Sequence, residues 1–212
     1  MTVLRISFVA VTGAMLAACA AGAPAVKAPA SPQFYAVAVG ICPLFCIKSM
    51  ETALLPGVAA APDHGTAGGF IVKGADISLR CTNKAKLAAT TAKPVNGAGV
   101  RMYGTSLAGG ARSAEGVIYD VNVLRRGNVF DRGEEFVKPG EANAFLVRTS
   151  EPHPGPGFSG GPVIDARSGA LLGVLTNTPR FKNDARIADG QYALAYRADR
   201  LQTIAAELKC RL

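Results

Sequence analysis

Ser159 sits in the most chemically suggestive stretch of the chain, Gly155-Pro156-Gly157-Phe158-Ser159-Gly160-Gly161-Pro162-Val163-Ile164-Asp165. A serine hydroxyl becomes a nucleophile only when it is exposed, aimed and relieved of its proton. Glycines around it let the backbone turn so that successive N–H groups point into one pocket. Such a pocket stabilises the negative oxygen that forms when an acyl carbon is attacked, and losing one donor costs about 10²–10³ in rate. Gly157 and Ser159 are placed to supply two such N–H groups. Acyl transfer through Ser159 is the chemistry this arrangement suits.

A hydroxyl of this kind needs a base, and the base needs a group to orient it. The chain has two histidines, His64 and His153. His64 lies 12 residues before Asp76 in a glycine-rich region. It either swings in from a loop as the base or is a solvated loop residue. His153 lies 6 residues before Ser159, in Glu151-Pro152-His153-Pro154. Gly157-x-Ser159-x-Gly161 also fits the nucleophile elbow of the α/β-hydrolases. That elbow needs a helix straight after the serine and a histidine later in the chain. Here Gly160-Gly161-Pro162 blocks helix initiation, and no histidine follows Ser159.

The serine stretch, followed by Ser168-Gly169-Ala170-Leu171-Leu172-Gly173-Val174-Leu175-Thr176, resembles the nucleophile region of chymotrypsin- and trypsin-like serine peptidases. Gly97-Ala98-Gly99-Val100-Arg101-Met102-Tyr103-Gly104 and Ala114-Glu115-Gly116-Val117 resemble the first strands of that family's second barrel, so the likeness covers most of residues 93–212. The resemblance implies an oxyanion hole from Gly157 and Ser159, with His153 and Thr176 at substrate-binding positions. Gly74-Ala75-Asp76-Ile77-Ser78-Leu79-Arg80 resembles the strand that carries the family's acid, and Asp76 stands 83 residues before Ser159. Asp120 is the weaker rival, because it leaves too few residues for a barrel before the serine. The family keeps its general-base histidine after a strand ending in Thr-Ala-Ala, well upstream of the acid. No histidine stands near Cys46 or Ile47, so the base, if it is His64, is not at the family position.

Positioning these residues falls to strands. With 24 glycines, 13 prolines and no tryptophan, the composition favours short strands joined by turns over a helix bundle. Phe34–Val39, Gly69–Val72, Val100–Gly104, Gly116–Val121, Phe145–Arg148, Pro162–Asp165, Ala170–Leu175 and Tyr192–Tyr196 read as strands, most bounded by turn residues. Leu201, Ile204, Ala205 and Leu208 recur at helical spacing, with Asp199 as a cap or first-turn acid. The expected fold is mainly β: a double six-stranded β-barrel of the chymotrypsin type, with a degenerate first barrel and a C-terminal α-helix. The first barrel is expected over about 33–90, the second over about 91–197 and the helix over about 198–210, all within a peptidase domain of 33–212.

The first 18 residues read as an address. Arg5 gives a positive start, and Ile6 to Leu16 is apolar but too short to span a bilayer comfortably. Leu16-Ala17-Ala18-Cys19 resembles the lipobox of bacterial lipoproteins, which implies lipidation of Cys19; an ordinary secretory signal cleaved near Ala18 or Ala20 is the alternative. Residues 19–32, rich in alanine and proline, read as a tether. Both readings send the domain out of the cytoplasm, as a membrane-anchored lipoprotein facing the periplasm or as a secreted protein. Cys42, Cys46, Cys81 and Cys210 then suggest two disulfides, most simply Cys42 with Cys46 and Cys81 with Cys210. No Cys-x-x-Cys pair or paired histidines point to zinc, and no metal or other cofactor is expected.

The charge of +8 is spread along the chain, and no basic run alternates with aromatics, which argues against nucleic acid as a partner. The expected function is a trypsin-like serine endopeptidase of the cell envelope, hydrolysing peptide or protein substrates through an acyl-enzyme on Ser159. The alternative is a catalytically impaired relative that binds peptides or an envelope partner through the same cleft.

Overall fold

Short segments of small and β-branched residues, interrupted by glycine turns, form twelve strands and one helix among the described residues. The structure is a computed structural model that describes residues 33–39, 47–64, 68–106, 110–176 and 191–210. Cys19, Cys42 and Cys46 lie outside them, and with them the expected lipidation, signal and tether and the Cys42–Cys46 pairing.

The first half holds β1 (Phe34–Val39), β2 (Ile47–Leu55), β3 (Val58–Pro62), β4 (Phe70–Val72) and β5 (Ile77–Cys81). They form one antiparallel sheet in the order β1-β2-β3-β5-β4. β3, Val-Ala-Ala-Ala-Pro, is buried along its whole length.

The second half is a closed barrel. Its strands are β6 (Gly99–Thr105), β7 (Ala111–Arg126), β9 (Ala144–Thr149), β10 (Pro162–Asp165), β11 (Leu171–Leu175) and β12 (Tyr192–Arg197), with β8 (Val129–Arg132) between β7 and β9 in sequence. The order β6-β10-β11-β12-β9-β7 is closed by pairing of β6 with β7. Closure removes the edges that an open sheet would leave unpaired. Met102, Ile118, Phe145, Val163 and Leu172 fill the interior. β8 is not part of the ring; it pairs with the far end of β7 as a hairpin.

The chain ends in α1 (Ala198–Ala206). Leu201 and Ala205 insert into the first-half core beside Leu54, Ile77 and Leu79, so the last element after the barrel packs against the first sheet. Asp199 lies in the first turn rather than at the cap, which is Arg197, and its carboxylate takes a 2.6 Å bond from the Arg197 guanidinium. A Cys81–Cys210 disulfide joins β5 to the segment after α1, as expected from the sequence. The architecture is mainly β: a closed barrel, a second sheet and a C-terminal helix.

Candidate active site

Ser159 lies between the two halves because β2 reaches across and grips its backbone. The Met50 N–H and the Ser49 hydroxyl both donate to the Ser159 carbonyl, at 3.0 and 2.6 Å, and the Thr52 hydroxyl donates to the Gly160 carbonyl at 2.7 Å. Ser49 and Thr52 are buried polar residues, and these bonds account for them. Two glycines permit the approach. A Cβ on Gly157 would stand 2.0 Å from the Thr105 carbonyl oxygen, and one on Gly160 would stand 2.1 Å from that of Met50. Both also have positive φ, 95° and 77°. The Phe158 N–H is taken by the Gly155 carbonyl at 3.1 Å. The N–H groups of Gly157 and Ser159 donate to no acceptor among the described residues.

His64 follows β3 by two residues, and the same strand end touches the serine loop: Pro62 Cδ is 2.5 Å from the Cβ position of Gly160. Between His64 and Asp76 the described residues hold the three-residue β4 and its turns. The Asp63 N–H donates to the Asp76 carbonyl at 3.1 Å, which closes this excursion and brings the two side chains together. His64 Nδ1 lies 2.8 Å from Asp76 Oδ2. Asp76 has φ 53°, a left-handed conformation that aspartate tolerates better than most residues. The hydrogen bond to Asp76 holds the His64 imidazole above its ordinary pKa. Partial burial and the Arg125 charge pull it down, while the Asp76 and Asp63 charges add to the rise. No hydrogen bond joins Ser159 Oγ to His64 among the described residues. Catalytic contacts without substrate are often long and tighten on binding.

No family model and no curated protein matches the sequence. Solved structures do. The active form of the Rv3671c protease from M. tuberculosis aligns with a TM-score of 0.62 at 15% identity, over 85% of this chain and 82% of that one. Its inactive form gives 0.52 at 17% identity, over 77% and 85%. The HtrA-type protease AlgW with a tripeptide gives 0.56 at 15% identity, over 83% of this chain and 60% of AlgW. The fold is that of the trypsin-like serine proteases.

Within this trypsin-like fold a narrow pocket of about 20 Å³ adjoins Ser159, lined by Pro154, Gly155, Phe158, Leu175, Thr176 and Ala193. That is room for about one water. Thr176 is therefore beside the serine, as the resemblance implies. Its hydroxyl donates to the Leu194 carbonyl at 3.3 Å and accepts from Arg125 Nη1 at 2.5 Å. His153 is not part of the pocket lining. Its Nδ1 is 2.7 Å from Thr149 Oγ1, and its Nε2 is 4.0 Å from the Glu151 carboxylate. Asp120 stands apart from the His64 pair: its carboxylate bonds the Asn122 N–H at 2.8 Å and lies 3.9 Å from Arg132. Among the described residues no cluster of His, Cys, Asp and Glu is arranged to hold a metal ion.

Proposed function

We propose that the chain is a serine endopeptidase of the cell envelope. The observation that carries the reading is the His64–Asp76 contact of 2.8 Å, made just past the end of β3 and before the start of β5, in the same sheet whose β2 is bonded to the Ser159 carbonyl. Ser159 Oγ attacks a peptide carbonyl and passes its proton to His64 Nε2, while Asp76 keeps the proton on Nδ1 and steadies the imidazolium. The Gly157 and Ser159 N–H groups take the oxyanion. His64 then protonates the leaving amine, and water, deprotonated by the same imidazole, hydrolyses the acyl-enzyme and regenerates the hydroxyl. A fluorophosphonate probe tests this: Ser159 takes up label, and Ser159→Ala does not. Folded wild-type protein that stays unlabelled from about pH 5 to 9 removes the enzyme reading.

A second reading is a non-catalytic relative that binds peptides or an envelope partner through this cleft. It is favoured by the lack of a Ser159–His64 hydrogen bond and by the small pocket. It expects no label, no effect of His64→Ala, and loss of partner capture on substitution along the cleft. The envelope location rests on the lipobox-like Leu16-Ala17-Ala18-Cys19. Lipidation of Cys19 would anchor the domain, and Cys19→Ser then moves the protein from the membrane fraction to the soluble one.

A further inference from the structure

A guanidinium is costly to bury, yet the Arg125 side chain is 3% exposed. It lies directly behind the acid of the proposed site. Its Nε donates to the Gly127 carbonyl at 2.9 Å, its Nη1 to Thr176 Oγ1 at 2.5 Å, and its Nη2 is 3.9 Å from Asp76 Oδ2, the oxygen that also faces His64 Nδ1. The three charged groups thus form a line from the solvent edge to the interior: imidazole, carboxylate, guanidinium.

The backbone that carries Arg125 is fixed with equal care. The Asn143 side chain accepts from the Arg125 N–H at 2.8 Å and donates to its carbonyl at 3.0 Å, standing in for a strand partner just past the last β7–β9 pair, Val123 with Ala144. Beyond Arg125 the β7–β8 hairpin turns at Gly127-Asn128, and the Gly127 N–H bonds the Gly74 carbonyl at 3.1 Å, two residues before Asp76. The barrel closes without β8. The hairpin's contact is with the turn that presents the acid.

We propose that Arg125, held by the β7–β8 hairpin, faces Asp76 from the opposite half of the molecule and sets the pH at which His64 becomes available as a base. This rests on the endopeptidase reading for its catalytic meaning, but not for its test. The charged groups that face His64 are Asp76 from the turn before β5, Asp63 on its own segment and Arg125 from β7. The two carboxylates favour the protonated ring, and Arg125 opposes them. A neutral side chain at 125 leaves the carboxylates unopposed, so His64 keeps its proton to higher pH. Removing one member of a buried ion pair is strongly destabilising when its partner is left uncompensated, but Asp76 is 22% exposed and keeps its bond to His64, so a smaller loss is expected and thermal melting measures it.

The experiment is an NMR titration of both histidines in wild-type protein, Arg125→Met, Arg125→Gln and Arg125→Lys, with thermal melting to confirm folding. The expected result is a His64 titration displaced to higher pH in the Met and Gln variants and close to wild type in the Lys variant. A His64 titration that stays in place in either folded neutral variant overturns the proposal, and so does a Lys variant that behaves like the neutral ones. Fluorophosphonate labelling run in parallel is expected to slow in the neutral variants at about pH 6 and to approach the wild-type rate at higher pH. Absence of label in every protein sinks the endopeptidase reading alone, because the titration arm needs no turnover.

Discussion

Replacing Asp76 by asparagine isolates the orienting role of the acid. Asparagine is one of the few residues that accept the left-handed backbone found at Asp76, where φ is 53°, so the turn is expected to persist. Its amide can still reach His64 Nδ1 across the 2.8 Å gap, but by donating an N–H. The ring then holds its proton on Nε2, the nitrogen that must receive the serine proton. In trypsin-like sites this change of tautomer lowers turnover by about 10⁴, which corresponds to about 5.4 kcal/mol of barrier. A second readout moves independently. The hydrogen bond to Asp76 is the largest cause of the raised His64 pKa, so its loss lets the imidazole deprotonate at lower pH, opposite to the displacement expected on neutralising Arg125. The assay is the second-order rate of fluorophosphonate labelling across pH, with His64 followed by NMR. Labelling within about tenfold of wild type, or a His64 titration that does not fall, refutes the idea that Asp76 orients the base.

Gly157→Ala places a methyl group 2.0 Å from the Thr105 carbonyl at φ 95°, so the amide must move; labelling is expected to fall by about 10²–10³ while the melting temperature changes less than it does on loss of the disulfide. The double change Cys81→Ala and Cys210→Ala opens a covalent link spanning 129 positions; chain entropy puts its contribution at about 5 kcal/mol, measured by urea unfolding in the absence of reductant. Leu201→Ala removes a fully buried side chain that docks α1 on the first-half core and is expected to cost about 2–5 kcal/mol in the same assay. The His64–Asp76 pair, with the folded imidazole pKa raised, stabilises the protein fully below about pH 6.5, and that stability fades as pH rises through the folded value. Because the His64 side chain is 52% exposed the effect is small, and it is read as the pH dependence of the urea midpoint in wild type against His64→Ala.

The strands of the second half were legible because their apolar residues alternate or run between glycines, as in β6 and β11. The serine loop announced itself through glycines whose Cβ atoms have no room. The delivery of His64 was hidden. β3 is mostly alanine, a weak strand former, and β2 buries Ser49, Glu51 and Thr52, so neither shows the period that marks a half-buried strand. The short, glycine-rich interval between His64 and Asp76 left the pairing open. The chain solves it with a three-residue β4 and a backbone bond from Asp63 to Asp76. β7 runs to 16 residues, past the expected segment at both ends: Ala111 to Glu115 pair with β6 in the barrel, and Val123 to Arg126 pair with β8 in the hairpin. Arg125 gave no signal as a single residue. The two-residue Gly127-Asn128 connection between Val-Leu-Arg-Arg and Val-Phe-Asp-Arg is a hairpin cue, and it would have placed Arg125 near a turn but not beneath the acid.

The Cys81–Cys210 bond turns everything from residue 81 to residue 210 into a covalent ring, and the whole barrel, β6 through β12, lies inside it. A single nick anywhere in that ring leaves both fragments attached, so a clipped molecule migrates as one species until a reductant is added. A cut in the first half before β5 behaves differently, since no disulfide among the described residues spans it, and the strand that delivers His64 can leave while the nucleophile stays.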